Sequence, residues 1–255
     1  MIWYALVLSL IIQVVMFIPA FFFKTDKLTD ISYGLTFIIL SIIVFLQQSF
    51  NELKLILLAL VITWALRLAS FLFMRIQKIK KDSRFDKMRG SFVKFLSFWI
   101  LQGITVWVVL IPTIMFFNRD PFFHVLMPIG AVIWGIGLLI ESAADQQKFK
   151  FKQQHKDRWA DTGLWRYSRH PNYFGEILCW TGVYLFTVTA FSLELALATA
   201  VGPLFIIMLL LFVSGIPKLE KSAQKKWGQD PEYQAYKAKT SILIPSGFRN
   251  TIKSR

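Results

Sequence analysis

A short stretch of the sequence, GLWRYSRHPNYFGE at residues 163–176, concentrates side chains that can bind or transfer charge. It holds two arginines, a histidine, an asparagine, two tyrosines and a glutamate, and it leads straight into residues 177–212, where Glu194 is the only charged residue. Pro171 suits the first turn of a helix, so we expect a helix to begin inside this stretch. Polar groups at the edge of an apolar segment are costly unless they bind something. We therefore expect a charged ligand and a hydrophobic ligand to bind next to each other here.

The polar residues of this stretch match the groups of a nucleotide. Arg166 and Arg169 carry planar guanidinium groups, each of which can donate two parallel hydrogen bonds to the oxygens of a phosphate. Asn172 can both donate and accept hydrogen bonds, as a carboxamide ligand requires, and Glu176 follows four residues later on the same helix face. His170 is either a donor to phosphate or a structural hydrogen-bonding group. The alternative for the whole cluster is a purely structural role.

A second pair of candidate residues precedes this stretch in the block ESAADQQK. Glu141 and Asp145 are four residues apart and share one face of a helix. Two acids at the end of an apolar segment are costly beside lipid, so we expect them to face the interior of a helix bundle. There they could accept hydrogen bonds from a ribose or an amide. The alternative is an ion pair with Arg166 or Arg169.

Polar residues also occur in the second and third apolar segments. Arg67 lies within the third segment, and a buried arginine needs an anionic partner. That partner could be a phosphate or a carboxylate such as Asp30 or Glu141. Asp30 and Tyr33 lie at the start of the second segment, where Asp30 is either a helix N-cap or an acid that polarises a substrate carbonyl.

Membrane helices must position these residues. The chain has 255 residues, of which 55% are hydrophobic, and this composition is typical of membrane proteins. A transmembrane helix needs about 20 apolar residues. The sequence therefore predicts an all-α, polytopic membrane protein with about seven spans, at residues 1–23, 31–50, 55–73, 92–117, 122–144, 172–190 and 194–213.

The distribution of charge predicts the orientation of these spans. Of the 29 Lys and Arg residues, 26 fall in segments that a seven-span arrangement places on one side of the membrane. Basic loops stay in the cytoplasm, so we expect the N-terminus outside, the C-terminus in the cytoplasm and the protein in the inner membrane. The net charge of +14 then reflects topology. No nucleic-acid partner is expected, because no motif for base stacking or groove binding accompanies the charge.

Other features exclude several classes of protein. No linker or repeat divides the chain, so we expect one domain over residues 1–255. With a single cysteine, Cys179, and three well-separated histidines, no metal site is expected. The chain has neither GxGxxG nor GxxxxGK[ST], so side chains on helices would have to hold any nucleotide. The amphipathic segment 218–239 either caps the cytoplasmic mouth of the bundle or rests on anionic lipid.

Four blocks of the sequence resemble the steroid 5α-reductase superfamily, and most closely its bacterial branch of integral membrane proteins. They lie, in order, within residues 63–245. The blocks are TWALRLASFLFMR with the later KKDSRFDKMR, then ESAADQQK, then GLWRYSRHPNYFGEILCW, then SGIPKLEKSAQKKWGQDPEYQAYKAKTSILIP. Known members are seven-helix enzymes that bind NADPH from the cytoplasmic side and reduce the C=C bond of an enone in a steroid-like lipid.

The resemblance implies a set of cofactor-binding residues. Asn172 would hold the nicotinamide carboxamide, and a hydride would pass to a carbon in a cavity at membrane level. The resemblance places Glu141, Asp145, Asn172, Tyr173 and Glu176 along the cofactor cavity, with Arg67, Lys152, Arg166, His170, Trp180 and Tyr236 as further contacts.

The sequence departs from the reductase pattern at two places. The family's catalytic tyrosine in the third span corresponds to Trp64, and its glutamate in the second span falls near Asp30. A tryptophan N–H donates a hydrogen bond but does not readily give up its proton, so the expected catalytic acids are Asp30 and Tyr33. The family's Arg/His pair near the C-terminus is replaced by SGIPKLEKS, which leaves Glu220 and its neighbouring lysines as the substitute.

A second enzyme family, the isoprenylcysteine carboxyl methyltransferases, is similar at RHPNYFGE and at the terminal pattern WGQDPEYQAYK…IP. Its members bind S-adenosylmethionine and usually carry a Glu-Glu pair where this chain has Leu219 and Glu220. The block ESAADQQK favours the reductase. The sequence thus predicts an NADPH-dependent lipid reductase, with a methyltransferase or a non-enzymatic lipid-binding protein as alternatives. We expect a monomer whose partners are a hydrophobic small-molecule substrate and membrane lipids.

Overall fold

The computed structural model describes residues 1–79, 86 and 88–246, and over these residues its regular structure is helical apart from one bridge between Ser168 and Ser241. This confirms the predicted all-α fold. In chain order the α-helices are α1 (Ile2–Phe22), α2 (Lys27–Leu46), α3 (Glu52–Ile79), α4 (Phe92–Phe117), α5 (Leu126–Gln154), α6 (Pro171–Thr187), α7 (Leu193–Thr199), α8 (Val201–Met208), α9 (Ile216–Trp227) and α10 (Pro231–Lys239). Short 3₁₀ helices flank α6 at Gly163–Arg166 and Val188–Ala190, and a π-helical turn, Leu209–Val213, follows α8.

Within the described residues, six helical segments are long and apolar enough to cross a membrane, so the protein is a multi-pass membrane protein. Five of them are α1 to α5, and the sixth is Leu193–Trp227, which contains α7, α8 and α9. The remaining predicted span, 172–190, corresponds to α6 and the 3₁₀ turn behind it. With 17 residues, α6 is not among the six. The orientation of the termini depends on an odd number of crossings and stays a prediction.

The chain forms two compact units. The first contains residues 1–131 and 182–205, and the second contains residues 132–181 and the described residues from 206 onward. Helices α1 to α4 and α7 belong to the first unit, whereas α9 and α10 belong to the second. The polar stretch 163–176 lies wholly in the second unit.

A buried hydrogen-bond network joins three helices of the first unit. Gln13 of α1 donates from Nε2 to Thr36 Oγ1 of α2 at 2.7 Å. Gln102 of α4 donates from Nε2 to Gln13 Oε1 and to Ser32 Oγ, both at 3.1 Å. Polar side chains that bond across helices contribute to the association of membrane helices, so this network fixes α1, α2 and α4 against one another.

The start of α2 differs from one expectation for Asp30. The helix begins at Lys27 with Asp26 at the N-cap, so Asp30 lies in the first turn. The predicted alternative in which Asp30 is the N-cap residue is therefore wrong. An acid in the first turn interacts favourably with the helix dipole. Asp26 is buried and forms an ion pair with Arg89, whose Nη1 lies 3.0 Å from the carboxylate. This pair fixes the start of α2.

The last apolar segment is interrupted rather than continuous. Helix α7 ends at Thr199 and α8 begins at Val201, because Pro203 lacks the N–H that would bond to the Thr199 carbonyl. A second interruption occurs at Gly215, the N-cap residue of α9. A Cβ at Gly215 would lie 2.3 Å from the Leu210 carbonyl oxygen, so this turn requires glycine.

Helix α5 is longer than predicted. It continues to Gln154, whereas the predicted span ends at residue 144. The extra residues are mainly Gln and Lys, which are strong helix formers in water. As a result Asp145, Lys148 and Lys152 lie on a rigid helix that extends from the apolar segment.

In the second unit, the backbones of α5 and α6 come into direct contact at two glycines. A Cβ on Gly175 would lie 2.6 Å from both Glu141 N and Gly137 O, and a Cβ on Gly137 would lie 2.6 Å from Gly175 O. In the first unit, a Cβ on Gly130 would likewise lie 2.6 Å from the Gly182 carbonyl oxygen. Small residues permit this close approach of membrane helices. The contact sets Glu141 directly against the backbone of α6.

Replacing Gly175 by alanine is expected to destabilise the fold by about 1–3 kcal/mol, because the new methyl group would overlap backbone atoms of α5. Gly137→Ala is expected to have the same effect. The matched control is Gly135→Ala on α5, where a Cβ meets nothing within 4 Å and alanine favours the helix. Thermal unfolding in detergent, followed by size-exclusion fluorescence, compares the variants. Equal Tm values for Gly175→Ala and Gly135→Ala would contradict this packing.

Candidate functional site

The second unit contains a cavity of about 190 Å³ at the end of α5. Its other walls come from the loop at 155–170 and from helices α9 and α10. The described residues that line it combine basic, acidic and aromatic side chains. They include the basic residues Lys148, Lys152 and Arg169, the carboxylate Glu220, the imidazole His170, and the rings of Trp159, Trp165, Trp227, Tyr233 and Tyr236.

One carboxylate is the centre of the charged contacts in the cavity. Glu220 of α9 forms an ion pair with Arg169, whose Nη1 lies 2.5 Å from Oε2, and Glu220 Oε1 lies 3.0 Å from His170 Nε2. Burial lowers the pKa of His170, while the hydrogen bond to Glu220 opposes this shift. At neutral pH the imidazole is therefore neutral and donates its Nε2–H to the carboxylate.

Aromatic rings form the wall opposite these charges. Trp159 packs against Tyr233 with the ring centroids 5.2 Å apart, and against Trp227 at 6.1 Å. Tyr236 lies 6.2 Å from Trp159. Burial raises the pKa of both Tyr233 and Tyr236, so both hydroxyls stay protonated across the physiological range. Flat rings of this kind can accommodate an aromatic base or a similar planar group.

Two lysines of α5 lie over this aromatic surface. Lys148 Nζ is 4.3 Å from the centroid of the Trp165 ring, and Lys152 Nζ is 4.7 Å from that of Trp227. Because they are four residues apart, both lysines extend from the same face of the helix. Lys152 Nζ also donates to the backbone carbonyls of Lys156 and Arg158, so the protein binds its ammonium group at the edge of the cavity.

Three buried polar atoms of the lining have no hydrogen-bond partner among the residues that the structure describes: Trp159 Nε1, Arg169 Nε and His170 Nδ1. The first two are N–H donors, and the third is an acceptor when Nε2 carries the proton. Buried polar groups in proteins are nearly always satisfied by a partner or by ordered water. These atoms are therefore suited to binding a ligand with both acceptor and donor groups.

Local backbone contacts position the loop that supplies Arg169 and His170. Gly163 has a φ of +60°, which favours glycine, and its position against Gln147 leaves no room for a Cβ. The Trp165 indole donates to the Ala144 carbonyl at 2.8 Å, and Tyr236 donates its hydroxyl to the Trp165 carbonyl at 2.7 Å. The loop is thus bonded to α5 on one side and to α10 on the other.

The segment after α10 also fixes this loop. The backbone N–H of Arg169 donates to Ser241 O at 2.9 Å, and Ser241 Oγ donates to Tyr167 O at 2.8 Å. Ser168 is fully buried, and its hydroxyl donates to Leu243 O at 2.6 Å. Residues distant in sequence therefore hold the backbone on either side of the Arg169 side chain.

Four of the predicted cofactor-binding residues line the cavity together: Lys152, His170, Glu220 and Tyr236. Arg166, also predicted, is exposed and lines a separate open cleft with His155 and Arg158. One predicted alternative was an ion pair between Glu141 and Arg169. In the structure Arg169 instead forms its ion pair with Glu220.

The other predicted residues of the second unit lie along α5 and α6, outside the lining of this cavity. Glu141 is 2% exposed, and its Oε2 lies 4.0 Å from the Cys179 sulfur on α6. Tyr173 stacks on the His170 ring at 5.7 Å, with the ring planes 12° apart. Trp180 is buried, whereas Asp145, Asn172 and Glu176 are partly exposed. Helix α6 begins at Pro171, as predicted.

The predicted catalytic acids belong to the first unit. Asp30 forms an ion pair with Arg75 at 3.6 Å. Tyr33 and Trp64 both pack on the buried Phe37, with centroid distances of 5.2 and 5.1 Å.

Arg67 is also in the first unit, on α3. Its guanidinium carbon lies 5.7 Å from the centroid of the Phe71 ring, one turn further along the helix. A cation–π contact with a neighbouring ring reduces the cost of placing an arginine in an apolar segment.

Sequence reasoning did not select several residues that line the cavity, namely Lys148, Trp159, Trp165, Trp227 and Tyr233. One signal was available for Lys148, because it lies one helical turn before the predicted contact Lys152. No local pattern brings Trp159 and Trp227 together, since 67 residues separate them and their contact depends on the fold.

The long apolar helices define a multi-pass, all-α membrane protein, and its second unit contains a polar, aromatic-lined cavity. The chain belongs to the family described as "Protein of unknown function (DUF1295)", whose family model matches residues 16–240. This match includes every residue that lines the cavity. No match was found among curated proteins or among solved structures.

Replacing Glu220 by alanine is expected to destabilise the protein by about 1–3 kcal/mol, because it leaves a mostly buried Arg169 without its counter-charge. The matched control is Glu232→Ala on α10, since Glu232 is 75% exposed and lies 3.7 Å from Arg158. Exposed pairs of this kind contribute about 0–1 kcal/mol. Thermal unfolding in detergent distinguishes the two variants, and a larger loss for Glu232→Ala would show that the Glu220 contacts are not structural.

The stability of the protein is expected to fall as the pH falls below about 6.5, the ordinary pKa of His170. Since burial lowers this pKa in the folded state, the unfolded state binds the proton first, and stability is lost until the pH reaches the lowered value. Below that value His170 contributes no further change. We expect the Tm of the wild type to decrease more over this window than that of His170→Gln, which cannot titrate. Parallel profiles of Tm against pH would contradict this.

Proposed function

We propose that the protein is a membrane reductase that uses NADPH to reduce an activated C=C bond, such as that of an enone, in a steroid-like or other lipid. The observation that supports this most is the cavity of the second unit, where three basic side chains meet aromatic walls. The four sequence blocks that resemble the steroid 5α-reductase superfamily support the same reaction. The family to which the chain belongs is described without an activity.

The charge of the cavity favours an anionic cofactor. Lys148, Lys152 and Arg169 supply three positive charges, and Glu220 offsets one of them. The phosphates of NADPH would compensate the remaining charge. S-adenosylmethionine carries a sulfonium cation, and a site of this charge would repel it. The same argument makes the methyltransferase the weaker alternative.

The lining residues fit one end of a dinucleotide. The cavity of about 190 Å³ is smaller than the sites of about 300–1,000 Å³ that enclose whole ligands, so it would hold a base with its attached phosphate. The rings of Trp159 and Trp227 offer stacking surfaces. The unpartnered N–H groups of Trp159 and Arg169 offer donors to phosphate or ribose oxygens. Asn172 and Glu176, one turn apart on α6, would hold the nicotinamide carboxamide.

When bound, NADPH would supply a hydride to the lipid's double bond. The chain must then provide a proton and stabilise the charge that develops on the substrate oxygen. Asp30 and Tyr33 are the proposed acids. Because the Asp30 carboxylate is ion-paired with Arg75, it acts as an acceptor, and Tyr33 with its hydroxyl is the better proton donor of the two.

The proposed setting of this reaction is the inner membrane of a cell, with the N-terminus outside and the cavity on the cytoplasmic side, where NADPH is available. The 26 basic residues that share one side of the predicted topology support this orientation. The protein is proposed to act as a monomer.

NADPH binding is expected to depend on Lys148 but not on Lys239. Both substitutions to alanine remove one positive charge, but Lys148 lines the cavity and Lys239 is exposed at the end of α10. Loss of a charge-assisted contact should weaken binding about ten-fold for Lys148→Ala. Energy transfer from tryptophan to bound nicotinamide, measured on detergent-solubilised protein, reports the affinity. Equal affinity of the two variants would reject the cavity as the cofactor site.

Mass spectrometry of the nucleotide that survives gentle purification tests the cofactor class. Retained NADP(H) supports the reductase, retained S-adenosylmethionine or its product supports the methyltransferase, and no nucleotide favours a lipid-binding protein. Asn172→Ala is expected to abolish retention without unfolding the protein. Retention by that variant would contradict the placement of the nicotinamide while leaving the reductase class intact.

A further inference from the structure

Helix α9 carries a row of exposed lysines. Lys218, Lys221 and Lys225 are exposed, and in the part of the chain that the structure describes none of them has an ion pair or a hydrogen bond through its side chain. Their neighbour Lys226 differs, because its ammonium group lies 3.0 Å from Asp157. We call these three residues the lysine face.

The lysine face lies on the side of α9 that is opposite to the cavity. An α-helix turns by about 100° per residue, which places the three lysines on one side of the helix axis. On the other side Leu219, Ala223 and Trp227 line the cavity. The helix therefore has one face bound by the protein and one charged face that is not.

The position of α9 in the chain places the lysine face close to the membrane. Within the segment Leu193–Trp227, the uninterrupted apolar part ends with the π-helical turn at Val213, and Lys218 follows five residues later. Even a fully extended chain spans at most about 3.6 Å per residue, so Lys218 lies within roughly 18 Å of the end of that segment. Lysines beside a membrane-spanning segment are attracted by anionic headgroups, by roughly five-fold in affinity for each lysine.

We propose that the lysine face of α9 binds the headgroups of anionic phospholipids. Three positive charges at helical spacing are complementary to a surface of phosphate groups, and no acidic side chain of the described residues competes for them. The membrane holds the partner within reach of the helix permanently, so modest affinity suffices. This proposal does not depend on the proposed reductase activity.

Native mass spectrometry of the full-length protein, titrated with phosphatidylglycerol or phosphatidylcholine in detergent, tests this interaction. The test variant replaces all three residues of the lysine face by glutamine. The control variant loses the same charge from exposed lysines elsewhere in the second unit, namely Lys150, Lys156 and Lys239. We expect the test variant to lose at least ten-fold in affinity for phosphatidylglycerol, with the control close to wild type.

Three other results would overturn the proposal. The first is equal affinity of the wild type for phosphatidylglycerol and phosphatidylcholine. The second is an equal loss in the test and control variants, which would show that the total charge of the protein attracts the lipid. A salt titration of the wild type provides a readout that needs no variant, because binding to the lysine face should weaken as ionic strength rises. Salt-independent binding of phosphatidylglycerol would also reject it.

Discussion

The carboxylate of Glu220 is the contact on which the candidate site depends. It lies on α9 and binds two residues of a loop that is 50 residues earlier in the chain, Arg169 and His170. This contact fixes α9 against the loop and so determines where Trp227, at the end of the same helix, meets the loop residue Trp159. An arginine this far from water would be costly without a counter-charge, and a buried imidazole N–H would be costly without an acceptor. One acid therefore supports both the shape and the charge of the cavity.

A second constraint is the absence of side chains at Gly137 and Gly175. Their backbones are in contact, and this places the buried Glu141 against α6 beside Cys179. A carboxylate in an apolar helix is expensive if it faces lipid. The glycine contact removes that exposure, because it leaves no space between the two helices for lipid chains. The tight packing of the apolar helices and the placement of an acid within them thus have the same cause.

Much of the fold was predictable because hydrophobicity is a local property. The apolar runs gave the membrane helices, and Pro171 gave the start of α6. The predicted fifth span ends at residue 144, but α5 continues to Gln154, since a helix need not stop where the apolar residues stop. The break at Pro203 was overlooked, although a proline inside an apolar run is a local signal of one.

The site was less predictable than the helices. His170, Lys152, Glu220 and Tyr236 were selected from local motifs and from family resemblance, and they do meet in one cavity. Their mutual contacts were not foreseen, because ion pairs between residues 50 positions apart leave no periodic trace in a sequence. Of the aromatic wall only Tyr236 was predicted, because the contacts of Trp159 with Trp227 and Tyr233 also join residues that are distant in sequence.

The length of α6 has a consequence for the surrounding bilayer. After Glu176 the helix has only residues 177–187 before a short 3₁₀ turn, which together span roughly 23 Å. The hydrocarbon core of a bilayer is about 30 Å thick. If α6 crosses the bilayer as predicted, this hydrophobic mismatch would either thin the bilayer locally or draw the polar turn at Asn172 among the acyl chains. Either outcome would bring that turn close to the depth at which a lipid-soluble molecule diffuses, which would give such a molecule a route from the leaflet that avoids water.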